Sequence, residues 1–438
     1  MFSGRQLYRL IWPLLIEQLL SVLVGMVDVL MVSYVGEATV SGVSLVDALN
    51  HLIIMVLFAL TTGGTVVCAK YIGRQDHDTA KKSAAQLLLI TTASMLVLSV
   101  YFLLGGRYVL RRLFGAVSPD VMENAQVYMY FTAASFPFLA VYNAASSVFR
   151  AKGDTKLSML VSLGMNIMNI AGNALCIFGL GMGVEGVAVP TLLSRITAAA
   201  AICFFLQAPD NELRIENVRQ FRPDWSILRQ IFSIGVPASV ESALFNTGKV
   251  MLQSLVSTLG TASIAAYAVA GSLATYLYLP GVALGAAITT VSGQCIGAGE
   301  RRQAKHYTRL LIYIDYLLLL PICSVMITGR GFLVGLYHLS PYPAHLAEGL
   351  IISHSIAMLI WPVAFMLPYY LRTVGRAAFS MLVSVTAMLF FRVGFAYLFV
   401  VFMGKNVLWI WYAMFIDWIF RFIVFGAVFH EKQLQGEQ

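Results

Sequence analysis

Residues 10–35, LIWPLLIEQLLSVLVGMVDVLMVSYV, read as one membrane-spanning helix that carries Pro13, Glu17 and Asp28 among residues otherwise suited to lipid. An ionised side chain at bilayer depth costs roughly 2.5–3.5 kcal/mol on insertion scales, so such a residue faces a water-filled cavity, takes a proton or finds a partner. Glu17 and Asp28 are eleven positions apart, and eleven steps of 100° return to within about 20° of whole turns. Both carboxyls therefore fall on one helix face, separated by roughly 16 Å along the axis.

Working outward, the 438 residues are 59% hydrophobic and 11% charged, with a mean hydropathy of +0.79. Too little polar surface remains to cover a soluble globule of this size. Uncharged runs long enough to span a bilayer recur along the chain, and about twelve spans are expected, starting near residues 8, 44, 85, 125, 157, 184, 229, 268, 308, 347, 379 and 407. The uncharged tract Val250 to Gly299 must hold most of two helices, joined by a tight turn near Gly260 to Ala266. The apolar run at the N-terminus lacks a cleavage-site pattern and reads as a retained first helix.

The net charge of +8 follows topology and leaves no nucleic-acid footprint. With both termini placed in the cytoplasm, 20 of the 29 basic residues fall on the inner side. Only Arg107, Arg111, Arg112, Arg330 and Lys405 fall outside, and that bias orients the bundle. Arg195, Lys249, Arg392 and Arg421 lie within spans. The five cysteines sit in apolar spans without paired spacing and read as packing residues, neither metal ligands nor disulfides.

The chain is written twice. At an offset of 224, Pro13, Glu17, Gly36 and Thr65 match Pro237, Glu241, Gly260 and Thr289. At an offset of 222, Arg150, Gly153 and the run Ser158 to Ser162 (SMLVS) match Arg372, Gly375 and Ser380 to Ser384. Each copy holds six spans, so the expected fold is an all-α polytopic membrane protein of two homologous six-helix lobes related by a pseudo-two-fold axis along the membrane normal. The lobes are expected at residues 1–207 and 229–438, with a cytoplasmic linker at 208–228 whose mixed charges read as a solvated face on the membrane surface.

Where the copies differ, Asp28 falls opposite Leu252 and Lys249 opposite Gly25. The asymmetry marks Asp28 as an ion-coupling group and Lys249 as a specialisation of the second copy. Asn166, Asn169 and Asn173 recur on one helix face with more polar capacity than packing in a span needs.

These residues resemble the multidrug and toxic compound extrusion (MATE) family of secondary transporters. The resemblance is carried by VDVLMVSYVG (Val27 to Gly36), FRAKGDTKLSML (Phe149 to Leu160), NIAGNALCIFGLGMGVEGVAV (Asn169 to Val189) and IGVPASVESALFNTGKVMLQ (Ile234 to Gln253). It implies a plasma-membrane antiporter, bacterial and monomeric, that exports lipophilic, cationic small molecules in exchange for H⁺ or Na⁺ and uses no cofactor. Asp28, Asn169 and Asn173 match the family's coupling site; Asn173 stands where many members have aspartate, and no aspartate lies at Ser353 to Leu371. The reduced set of acids favours H⁺ over Na⁺ at Asp28. A lipid-linked precursor flippase is the alternative within transport. Motifs of an intramembrane enzyme are missing, and the sequence shows no evident serine or metal-ligand partner for His51, the histidine that reads as most deeply placed.

Glu17 and Glu241 each follow a proline by one turn, and two readings stand open: satisfying the backbone freed by the proline, or lining the cavity to neutralise a cationic substrate. Asp417 and Arg421 are spaced as an i,i+4 ion pair and, with Arg392, read as a structural network. Asp315 and Arg195 have no partner visible in the sequence. Tyr276, Tyr278, Met165, Met168, Trp361 and Phe365 are candidates for an adaptable substrate surface, and membrane lipid is the other expected partner.

Overall fold

A computed structural model of the chain describes residues 2–115, 117–215, 221–404 and 406–430, with only the backbone of Val29. Arg219, Lys405 and Lys432, three of the basic residues used to orient the chain, lie outside the described residues. In order the helices are α1 (Gly4–Ser33), α2 (Glu37–Gly73), α3 (His77–Phe114), α4 (Pro119–Lys152), α5 (Thr155–Ala174), α6 (Glu185–Leu206), α7 (Trp225–Ser257) and α8 (Thr261–Gly297). They continue as α9 (Arg301–Thr328), α10 (Arg330–Gly335), α11 (Pro341–Ala357), α12 (Trp361–Thr373), α13 (Ala377–Thr386), α14 (Phe395–Phe402) and α15 (Val407–His430). Leu175–Gly179 after α5 and Ala387–Gly394 between α13 and α14 are π-helical, a winding often found beside functional groups.

Among the described residues nine helical stretches are long and apolar enough to cross a membrane, one of them the continuous Ala377–Phe402, or ten when α11 and α12, bent by 54° at their junction, count as one span. The long helices α4 and α7, of 34 and 33 residues, lack so apolar a stretch. For α4 the reason lies in its packing against α2, α3 and α6. Thr132, Ser135, Asn143 and Ser146 on it are buried against protein, so that helix need not be lipophilic all round. The expected turn near Gly260 is present, α7 ending at Ser257 and α8 starting at Thr261.

The repeat is visible in the turns. Gly36 and Gly260, at φ 138° and 91°, precede α2 and α8, while Gly153 and Gly375, at φ 97° and 86°, follow α4 and α12. Positive φ is the conformation a residue with a Cβ resists, so both copies keep glycine at equivalent corners.

The chain folds as two compact units, Phe2–Ser239 and the chain from Val240 on. In the first, α1 packs on α5 and α4 packs against α2, α3 and α6. The opening turns of α7 belong to this unit: Gly63 on α2 leaves no room for a Cβ beside Ile231 and Gly235, and Ser239 Oγ donates to the Val56 carbonyl at 3.2 Å. In the second, α8 packs against α9, α11 and α12, and α15 lies against α12 and the π-helical Ala387–Gly394.

The linker is more than a solvated face. Leu213 and Ile215 are buried, and the fully buried Gln86 of α3 donates to the Arg222 carbonyl at 2.8 Å while accepting from the Asp224 N–H at 3.0 Å. Both amide ends of one glutamine hold the chain as it enters α7.

Candidate functional site

The first unit encloses a cavity of about 280 Å³. Its wall includes Gly25 and Asp28 of α1, Asp47 of α2, Tyr128 of α4, Met165, Asn166 and Asn169 of α5, and Thr191, Ser194 and Arg195 of α6. Asn173 is fully buried behind it.

Asn173 Nδ2 donates to Asp28 Oδ1 at 3.1 Å and lies 3.4 Å from Asn169 Oδ1. Asn169 Nδ2 in turn donates to Thr191 Oγ1 at 3.1 Å, and the Thr191 hydroxyl donates to the Val187 carbonyl at 2.8 Å. A line of hydrogen bonds thus runs from α1 through two amides of α5 to α6. The i,i+4 spacing of Asn169 and Asn173 stacks the amides on one helix face, and the π-helical Leu175–Gly179 begins two residues later. Asn173 Oδ1 is buried without a hydrogen-bond partner.

Asp47 forms a second polar group. Its Oδ1 accepts from the Tyr128 hydroxyl at 3.2 Å and from Asn50 Nδ2 at 3.4 Å. Arg195, for which the sequence offered no partner, has one: its Nη1 donates to Ser135 Oγ on α4 at 2.6 Å and fixes the guanidinium at the cavity wall. Two carboxyls and one guanidinium therefore share one cavity.

A hard cation wants several oxygen ligands, whereas the neighbour of Asp28 presents an amide N–H to it and a fixed guanidinium already lines the same space. Among the described residues no group of three or more His, Cys, Asp or Glu side chains is placed to hold a metal ion.

The other residues singled out in the sequence fall in different places. Glu17 Oε2 is buried without a hydrogen-bond partner. Glu241 has a partner the sequence did not show: its Oε2 pairs with Arg372 Nη2 at 3.0 Å, both side chains mostly buried, so Arg372 is an internal charge rather than a flanking one. In the second unit, Arg421 Nε donates to Asp417 Oδ1 at 2.6 Å and Arg392 Nη1 lies 3.9 Å from Asp417 Oδ2. Lys249 Nζ sits 5.0 Å from the Phe245 ring centroid.

The expected aromatic surface is largely packing. Trp361 is 6% exposed, stacks on Phe365 with ring centroids 5.1 Å apart and covers Gly281, where a Cβ would strike its ring. The Tyr278 hydroxyl is 2.7 Å from His354 Nε2. His354, 1% exposed, is the deeply buried histidine; His51 is exposed, which corrects its placement from sequence. Tyr276 is half-buried on α8 and lines neither cavity of the first unit. Met165 borders both the polar cavity and a second, apolar one of about 320 Å³ between α5 and α6, which Met168 also lines.

The architecture, a duplicated polytopic helical bundle with a charged cavity inside one copy, defines a membrane transporter. The MatE family model matches residues 13–175 and 237–398, two segments whose starts are 224 apart, and the chain belongs to that family. It is similar to the uncharacterized transporter YisQ of Bacillus subtilis, at 26% identity over 94% of this chain and 91% of that one. It is likewise similar to the probable multidrug resistance protein NorM of Thermotoga maritima, at 26% identity over 68% of this chain and 64% of NorM. Among solved structures, the fold matches an outward-facing multidrug resistance MATE family transporter of the MOP superfamily with a TM-score of 0.91, at 22% identity, over 98% of this chain and 95% of that chain.

Proposed function

We propose that the chain is a plasma-membrane antiporter that exports lipophilic cationic compounds in exchange for H⁺, with Asp28 as the group that takes up and releases the proton. The observation that carries this reading is the position of Asp28: on a cavity wall, hydrogen-bonded by one amide, in a space that also holds Asp47 and a fixed Arg195. With both acids ionised the cavity carries one surplus negative charge, which one proton or one organic cation neutralises. The two then compete for the same charge, as exchange requires.

Asn173 supplies the detector. Ionised Asp28 accepts from Asn173 Nδ2; protonated Asp28 becomes a donor and needs an acceptor. The partnerless Oδ1 of the same amide meets that need when the amide turns over, at the expense of the contact with Asn169. Protonation thereby changes how α1 is held to α5, and a difference in proton affinity between two conformations shifts their populations. The multidrug resistance named for NorM supports the export of drug-like compounds, relatives in bacteria support a bacterial cell membrane, and the excess of basic residues on one side supports termini that face the cytoplasm.

The test uses proteoliposomes of the full chain loaded with a cationic dye. A gradient of two pH units supplies about 2.7 kcal/mol per proton, enough for about a hundredfold dye gradient in one-for-one exchange. Efflux driven by that gradient without Na⁺ is the expected result. Efflux driven only by a Na⁺ gradient at equal pH would overturn proton coupling.

A further inference from the structure

Gly25 and Asp28 wall the cavity of the first unit, and the repeat offset of 224 carries them to Lys249 and Leu252 on α7. The same helix stripe therefore bears a carboxyl in one copy and an ammonium in the other. Lys249 is not alone. Its Nζ lies 5.0 Å from the Phe245 ring centroid, and Arg392 Cζ and Arg421 Cζ each lie 5.8 Å from that same centroid. Three cations surround one phenyl ring.

One carboxylate answers them. Asp417 is fully buried and bound through Oδ1 to Arg421, itself 2% exposed, while its Oδ2 is buried without a hydrogen-bond partner. Arg392 is only partly met: Nη1 is 3.9 Å from Asp417, Nη2 donates to the Met414 sulfur at 3.0 Å, the Tyr267 hydroxyl is a further neutral partner, and Nε is buried without a hydrogen-bond partner. Lys249 is exposed and, among the described residues, makes no hydrogen bond or ion pair. Gly248 packs against Met388 of the π-helical Ala387–Gly394, which draws α7 against the element that bears Arg392. An ammonium and a guanidinium in excess of local acid, against Phe245 and the edge-packed Phe365, leave a charge deficit that membrane lipid tails cannot fill.

We propose that the second unit holds a subsite for an oxyanion, the carboxylate or phosphate of an amphipathic compound, with Lys249 as the accessible cation, Arg392 as the second donor and Phe245 as the apolar wall. This rests on the transporter reading and refines its substrate class: compounds that carry an anionic group beside their cationic one are bound in preference to purely cationic ones.

The test is a pair of dyes that differ in one group, rhodamine 110 with a free carboxylate and rhodamine 123, its methyl ester, titrated by fluorescence anisotropy against the full chain in neutral detergent without any ion gradient. The free acid is expected to bind about tenfold more tightly than the ester, the scale of a hydrogen bond to a charged group. Lys249→Gln removes that preference while the ester still binds at least as tightly, which also shows that the variant is folded; Lys249→Arg keeps the preference. Equal binding of acid and ester to the wild type, or a preference that survives Lys249→Gln, overturns the subsite. Repeating the titration in phosphatidylglycerol and phosphatidylcholine nanodiscs separates the sources. Loss of the acid preference in phosphatidylglycerol alone assigns the subsite to a lipid phosphate, and its retention in both assigns it to the exported compound. Because no gradient is imposed, failure here leaves proton coupling standing, and failure of proton coupling leaves this binding preference untouched.

Discussion

Replacing Glu241 with Gln separates a structural ion pair from a substrate-facing charge. Glu241 Oε2 and Arg372 Nη2 are 3.0 Å apart, with side-chain exposures of 14% and 12%. At an effective dielectric of about 20, two unit charges at that distance attract by about 5.5 kcal/mol before desolvation is subtracted. Removing one partner of a buried pair typically costs about 3–5 kcal/mol, because the remaining charge is left uncompensated. Arg372 is poorly placed to bear that loss, since its Nε is already buried without a partner. Glu241→Gln is therefore expected to lose about 3 kcal/mol in denaturant titration of the detergent-solubilised chain, with Arg372→Met in the same background recovering at least half. Dye export per folded molecule should stay near wild type. Export lost at unchanged stability would refute the structural assignment and return Glu241 to the substrate path.

Two further outcomes follow from single contacts. Gly281→Ala presses a methyl group into the Trp361 ring and is expected to destabilise by about 1–3 kcal/mol in the same titration, with Trp361→Leu relieving much of the loss. Asn173→Asp places a second carboxyl against Asp28, where Asn173 Nδ2 now stands 3.1 Å away; the added hard oxygen should make substrate binding respond to Na⁺ in a titration where the wild type does not, and no response in the variant would count against the reading of the donor set.

Much of the fold was legible because lipid imposes a strict rule: helices must be long and apolar, so spans stand out between charged turns. The duplication was legible in its corners, where Gly36, Gly153, Gly260 and Gly375 all take positive φ. The break between α11 and α12 was harder, since Trp361 and Pro362 follow it without any polar interruption.

The site was legible only in part. Asp28 stands out because it interrupts an apolar run. Asp47 does not, because hydropathy starts its span near residue 44 and so puts Asp47 at the membrane surface; α2 starts at Glu37, so about 15 Å of helix precedes Asp47. The partners of Arg195 and Arg372 were hidden for a different reason. Ser135 and Glu241 lie 60 and 131 positions away, and nothing local in the sequence encodes contacts made between helices.

The account turns on Asp28 changing its protonation as the transporter works. Asp28→Asn keeps a side chain of the same shape that can still hydrogen-bond Asn173 while fixing the site as neutral. In proteoliposomes the account predicts that this variant binds dye and exchanges it across the membrane at equilibrium, yet builds no dye gradient under two pH units of driving force. A variant that concentrates dye as the wild type does would contradict it.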